Sequence, residues 1–162
     1  MAYSVGDRIV YPMHGAGVIS SIEEREVMGE VKEYYFLELP YGNTVLMIPV
    51  DNLEANGVRD IIDRDEIPNI LEHFKTSALE CNNNWNKRHR ENLDRLKSGN
   101  ILDVIDVFKS LVCREKEKTL STGEKKMLTT TRNILFSELM LSTGKTEDEI
   151  EEIVINAMGL DD

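Results

Sequence analysis

The chain has 162 residues, 41% of them apolar and 30% charged, and a formal net charge of −11; that is room for one ordinary domain or two small ones with a genuine core. No apolar run approaches the ~20 residues of a bilayer-spanning helix, and the start MAYSVGDRIVYP lacks the basic-then-apolar pattern of a signal peptide. Two cysteines, Cys81 and Cys113, with no CxxC pairing, argue against a disulfide framework and make the cytoplasm the simplest address.

In chain order, the first half predicts short strands. Arg8 to Tyr11 ends at Pro12, and Gly17 to Ile22 follows a Gly-rich turn, His14-Gly15-Ala16-Gly17. Met28-Gly29-Glu30 suits a hairpin tip. Lys32 to Leu39 (KEYYFLEL) and Thr44 to Ile48 (TVLMI) flank Pro40-Tyr41-Gly42-Asn43, and the second run stops at Pro49. β-formers bounded by Gly, Pro and Asn at this spacing predict a small antiparallel sheet or barrel over residues 1–65. Its core would be thin, so an uncovered edge could pair with a strand of another protein.

From about residue 66 the period changes to that of helices. The switch falls in Arg59 to Pro68, a polar stretch with few apolar anchors. Pro68 suits a first helical turn, with the run continuing to about Lys75. Asn82 to Leu96 predicts a helix with Leu93 and Leu96 inward. Ser98-Gly99-Asn100 breaks it, with Gly99 placed to end one helix and Asn100 to cap the next. Ile101, Val104, Ile105, Phe108, Leu111 and Val112 recur at helical spacing. Ser121-x-x-Glu124 and Thr146-x-x-Glu149 are capping boxes. The first opens a helix carrying Met127, Leu128, Ile134, Leu135 and Leu139 inside; the second opens one carrying Ile150, Ile153, Val154, Ala157 and Met158. The prediction is a small β domain, 1–65, joined to an all-helical domain, 66–162.

Catalytic patterns are missing. His14, His73 and His89 lie far apart, and no nucleotide-binding, nucleophile-elbow or metal-ligand motif occurs. Cys113 is expected in the core and His73 in packing; neither an enzyme nor a cofactor or metal is expected. Charge is more telling. Residues 1–65 carry −7, 66–86 carry −2, 87–126 carry +4 and 127–162 carry −6. One basic island therefore sits inside an acidic chain, and at a contact surface the local field outweighs the net charge.

The island begins at CNNNWNKRHRENLDRL, Cys81 to Leu96, where the single Trp, Trp85, precedes Lys87, Arg88 and Arg90. A lone Trp at a helix start is usually a core anchor or a cap over one, with the cations as its solvated side paired to Glu91 and Asp94. Alternatively, it is an exposed indole among phosphate-binding side chains, able to insert at a base step or stack on an unpaired base. The pattern leaves both open.

VGDRIVYPMHGAG at 5–17, NWNKRHRENLDRLKSGN at 84–100 and LSTGEKKML at 120–128 decide between them by resemblance. In this order, over nearly the whole chain, they resemble the CarD-type (CdnL) bacterial transcription regulators. VGD…VYP alone is less specific, since the same small module occurs in the transcription-repair coupling factor. The resemblance implies an α+β fold, with a Tudor-like antiparallel β-barrel that binds the RNA polymerase β subunit by extending a sheet, followed by an all-helical domain. Arg25, Val45 and Met47 would be polymerase contacts; Met47 stands at a strand position often Arg in relatives, which bears on the polarity of that contact. The helical domain would meet promoter DNA at the upstream edge of the transcription bubble. Trp85 would be a minor-groove wedge, and Lys87, Arg88, Arg90 and Lys125 would face phosphates. DNA binding by the protein alone would be weak and largely non-specific, there would be no membrane partner, and the chain would be monomeric. The rivals are an RNA-binding module, which a barrel at −7 fits poorly, and a protein-interaction adaptor with Trp85 in its core.

Overall fold

The computed structural model describes residues 3–40, 44–51, 53, 55–76, 85–117 and 119–158, with backbone alone at 85, 86, 88 and 117. Among these residues five strands come first: β1 (Arg8–Tyr11), β2 (Gly15–Val27), β3 (Glu30–Glu38), β4 (Val45–Pro49) and β5 (Arg59–Asp60). A 3-10 turn at Arg64–Glu66 leads into α1 (Ile67–Thr76), followed by α2 (Trp85–Lys97), α3 (Ile101–Glu117), α4 (Thr122–Thr143) and α5 (Glu147–Met158).

The strands form one antiparallel sheet in the order β4-β3-β2-β1-β5. This corrects the expected barrel: the sheet is open, with β4 and β5 as its two edges. Four residues of β1 and two of β5 give little length along which a cylinder could close. The long pair is β2 with β3, interrupted by a bulge at Ser20, whose hydroxyl donates to Phe36 O at 3.1 Å. Such a bulge bends a strand and sharpens its twist. The pair turns at Met28-Gly29, both at positive φ (52° and 82°), the geometry that suits a two-residue hairpin. One sheet face buries Ile9, Ile19, Tyr35, Leu37 and Ile48 around Leu53.

The Gly-rich segment behaves differently from expectation. The turn is Pro12-Met13-His14, closed by His14 N–H donating to Tyr11 O at 3.0 Å, while Gly15 and Gly17 already belong to β2. Gly15 is needed for clearance: a Cβ there would stand 2.8 Å from Ser137 Oγ on α4.

The helices form where the apolar period requires. The expected stripe of α3 is buried, except that Val112 is only half-buried. Gly99 adopts φ 74° and ends α2, and Asn100 Oδ1 accepts from Leu102 N–H at 2.9 Å to start α3. Ser121 Oγ accepts from Glu124 N–H at 3.2 Å. Thr146 and Glu149 cap reciprocally, at 3.1 and 3.2 Å. Cys113 is exposed rather than in the core. His73 is more than packing: its Nε2 lies 2.8 Å from Asp106 Oδ1 on α3. Cys81 lies outside the described residues, as does the start of the helix expected from Asn82.

Helix α4 joins the two halves. Glu138, 1% exposed, takes both terminal nitrogens of Arg59 at 2.7 and 2.8 Å and the Ile62 N–H at 2.9 Å. Ser137 Oγ accepts from Ala16 N–H at 2.8 Å. Arg8 and Arg64 donate to Leu141 O and Thr143 O at 2.6 and 2.7 Å, at the carbonyl end of the same helix, where cations are favoured. Ser142 Oγ donates to Ile62 O at 3.1 Å. The polar stretch after Arg59 is thus secured by hydrogen bonds where apolar anchors are few.

Candidate protein and nucleic-acid interfaces

Two surfaces gather the residues singled out by sequence. The first is the β4 edge. β4 pairs with β3 on one side, and among the described residues no strand pairs with the other. Alternation turns Leu46 and Ile48 inward and leaves Val45 51% and Met47 43% exposed. Met47 is directly across from Phe36 of β3. The Arg25 guanidinium lies over the Phe36 ring, 5.1 Å from its centroid, a cation–π distance. Phe36 therefore brings Arg25 and Met47 onto one face, with Val45 two residues along. Glu23 restrains Arg25 further at 2.8 Å. The Ser21 hydroxyl first, and Arg25 second, hold the Glu23 carboxyl below its ordinary range. Sequence reading missed Phe36; the alternation in KEYYFLEL, placing Tyr34 and Phe36 opposite Tyr35 and Leu37, carried the signal.

The second surface runs from α2 to the amino end of α4. Asn92 and Leu96 of α2 are buried and Leu93 is half-buried, while Lys87 and Arg90, three residues apart, are exposed on another face. The Trp85 and Arg88 side chains lie outside what is described; Trp85 is the first described residue of α2. Lys125 is exposed in the first turn of α4. Its neighbour Lys126, also exposed, lines a cleft of about 180 Å³ with His89 and Leu93 of α2, Gly123, and Met13 from the β1–β2 turn. The amino end of α4 therefore sits beside α2 and adds Lys126 to the basic set. Arg114 belongs elsewhere: its Nε is 3.4 Å from the buried Glu124. A helix amino end with exposed lysines beside a second basic helix favours anionic groups.

Among the described residues there is no group of three or more His, Cys, Asp or Glu placed to hold a metal, and no helix long and apolar enough to cross a membrane.

Residues 3–62 match the CarD-like/TRCF RID domain, and residues 69–155 match the CarD C-terminal domain. The chain belongs to the CarD family. A relative in Bacillus subtilis (strain 168), "Putative transcription factor YdeB", is 36% identical over 149 residues, covering 92% of this chain and 97% of that protein. This CarD-family chain is accordingly a transcription regulator, with a Tudor-like sheet half followed by a helical half.

Proposed function

We propose that this protein binds the RNA polymerase β subunit through the β4 edge and promoter DNA through α2 and the amino end of α4, and so stabilises the open complex. The observation that carries the reading is the open edge: among the described residues no strand pairs with the outer side of β4, on a half matched to the CarD-like/TRCF RID domain. An added strand would gain main-chain hydrogen bonds from β4, and Arg25, Val45 and Met47 would supply side-chain fit. With Met47 beside Phe36, that fit is partly apolar.

On the DNA side, Lys87, Arg88, Arg90 and Lys125, with Lys126 added, would hold phosphates without reading sequence. Trp85 would occupy the junction where base pairs are already parting. Its contact exists only once the duplex opens, so it favours the open state by differential binding. A stacked base is worth ~1–3 kcal/mol, which corresponds to roughly a 5- to 150-fold gain in open-complex lifetime. The acidic remainder keeps free DNA affinity low, so polymerase supplies the targeting and the two weak contacts reinforce each other.

The test is the lifetime of a promoter open complex under competitor DNA, with no factor, with this protein and with a folded Trp85→Ala variant. The expected result is a longer lifetime with the protein and its loss in the variant. No change from either would sink the reading and favour an adaptor role with Trp85 in the core.

A further inference from the structure

We propose that Arg59 is a positioning residue that sets the bearing of α2 on the sheet, and so where the Trp85 end of that helix points relative to the β4 edge. The inference rests on the two-surface reading above for its functional consequence, and on geometry alone for its structural one.

Arg59 stands on β5, the sheet edge opposite β4 in strand order. Its guanidinium reaches three places. Both terminal nitrogens bind the Glu138 carboxylate of α4 at 2.7 and 2.8 Å, one of them also donates to Asp60 O at 3.0 Å, and Nε donates to Gly99 O at 2.6 Å. Gly99, at φ 74°, lies two residues past Lys97, the last residue of α2. Other parts of the sheet half close on the same point: a Cβ at Gly99 would stand 3.2 Å from Pro12 Cγ and 3.6 Å from Gly57 O. One side chain thus joins the sheet, α4 and the end of α2, and the glycine lets them approach.

The lever explains why this matters. From Lys97 back to Trp85 the helix runs about 18 Å at 1.5 Å per residue, so a tilt of ten degrees at its end moves the Trp85 backbone by roughly 3 Å. That is about one base step along a DNA strand, ~3.4 Å. A loose joint at Arg59 would cost the alignment of the two contacts while leaving each contact surface intact. Lys cannot substitute, because a single ammonium lacks the planar fork that serves Glu138 and Gly99 together.

The experiment uses the full chain with Cys81→Ser and Cys113→Ser, spin-labelled at Glu38→Cys on β3 and Asp94→Cys on α2, both exposed positions. Electron–electron resonance distances are compared with and without Arg59→Lys, at a temperature where circular dichroism shows both folded. Open-complex lifetime, polymerase affinity and duplex affinity are measured on the same pair without labels. The expected result is a distance distribution that broadens and shifts by several Å. The lifetime should fall at least threefold, with both separate affinities unchanged within twofold. An unchanged distribution overturns the proposal, and so does a changed distribution with an unchanged lifetime. If Arg59→Lys does not fold, Glu138→Gln keeps the acceptor shape and weakens the same joint, and is read by the same criteria. If the unsubstituted protein fails to prolong the lifetime, the two-surface reading fails, and the distance distribution alone decides the role of Arg59.

Discussion

The two edges of one sheet are treated in opposite ways. At β5, the guanidinium of Arg59 and the N–H of Ile62 just beyond are both taken up by the helical half, through a carboxylate with almost no exposure. At β4, the outer side has no strand partner among the described residues, and Val45 and Met47 stand in solvent. An edge strand left open is normally a hazard that proteins blunt. Keeping one edge closed and one open makes the sheet a mount: one side fixes its place on the helices, the other is left for something else to bind.

The difference can be broken from either side. Ile48→Ala should have the largest effect. Ile48 is fully buried and holds β4 to the sheet, and loss of such a side chain with its cavity costs about 3–4 kcal/mol. Denaturant unfolding measures it, and hydrogen exchange should show β4 opening first. Glu138→Ala comes next. It strands the Arg59 charge at the seam, and the cost should be about 2–3 kcal/mol, below the ~3–5 of a wholly buried pair, because the Arg59 side chain keeps 28% of its exposure. The melting temperature should fall by roughly 5–10 °C.

Met47→Glu is the counterpart at the open edge. Stability should change by less than ~0.5 kcal/mol, as for other exposed positions, while polymerase affinity falls tenfold or more; equal affinity would remove Met47 from the contact. The smallest effect concerns the restraint on Arg25. Because the folded state lowers the affinity of Glu23 for its proton, the stabilisation this gives is present above the ordinary value of 4.5 and is lost as the pH falls through the lowered one. A carboxyl NMR titration of Glu23 should therefore have its midpoint below 4.5. Arg25→Ala should return only part of the shift, since the Ser21 hydroxyl is the larger cause.

Local features were legible because their causes are local. The Met28-Gly29 tip, both capping boxes, the Gly99 stop and the α3 stripe each depend on residues within one turn or hairpin, and each stands where sequence placed it. An edge strand without a further partner among the described residues is likewise there. What sequence could not convey was pairing at a distance. Glu138 sits in the apolar run of α4 and looks like an ordinary solvated interruption; its partner is 79 residues away. Sheet closure is also global, decided by the brevity of β1 and β5 rather than by β propensity. Cys113 was misplaced for a simpler reason: it falls off the Ile101–Val112 stripe, three residues before the exposed Lys116. Of the candidate site, Arg25, Val45 and Met47 fall on one face, and Lys87, Arg90 and Lys125 on neighbouring helix ends. Phe36 and Lys126 become visible only once strands and helices are placed side by side.

Gly15 carries a last consequence. A methyl group there would meet Ser137 Oγ at 2.8 Å, and the backbone φ of 123° already disfavours any L side chain. Whatever replaces this hydrogen acts as a shim, thrust between β2 and α4 and prising the halves apart by atomic widths. The spacing between the sheet and the helices is therefore a dimension that this position holds at its minimum. A single substitution can widen it, so the gap between the halves is held at this position while the direction of α2 is held separately at Arg59.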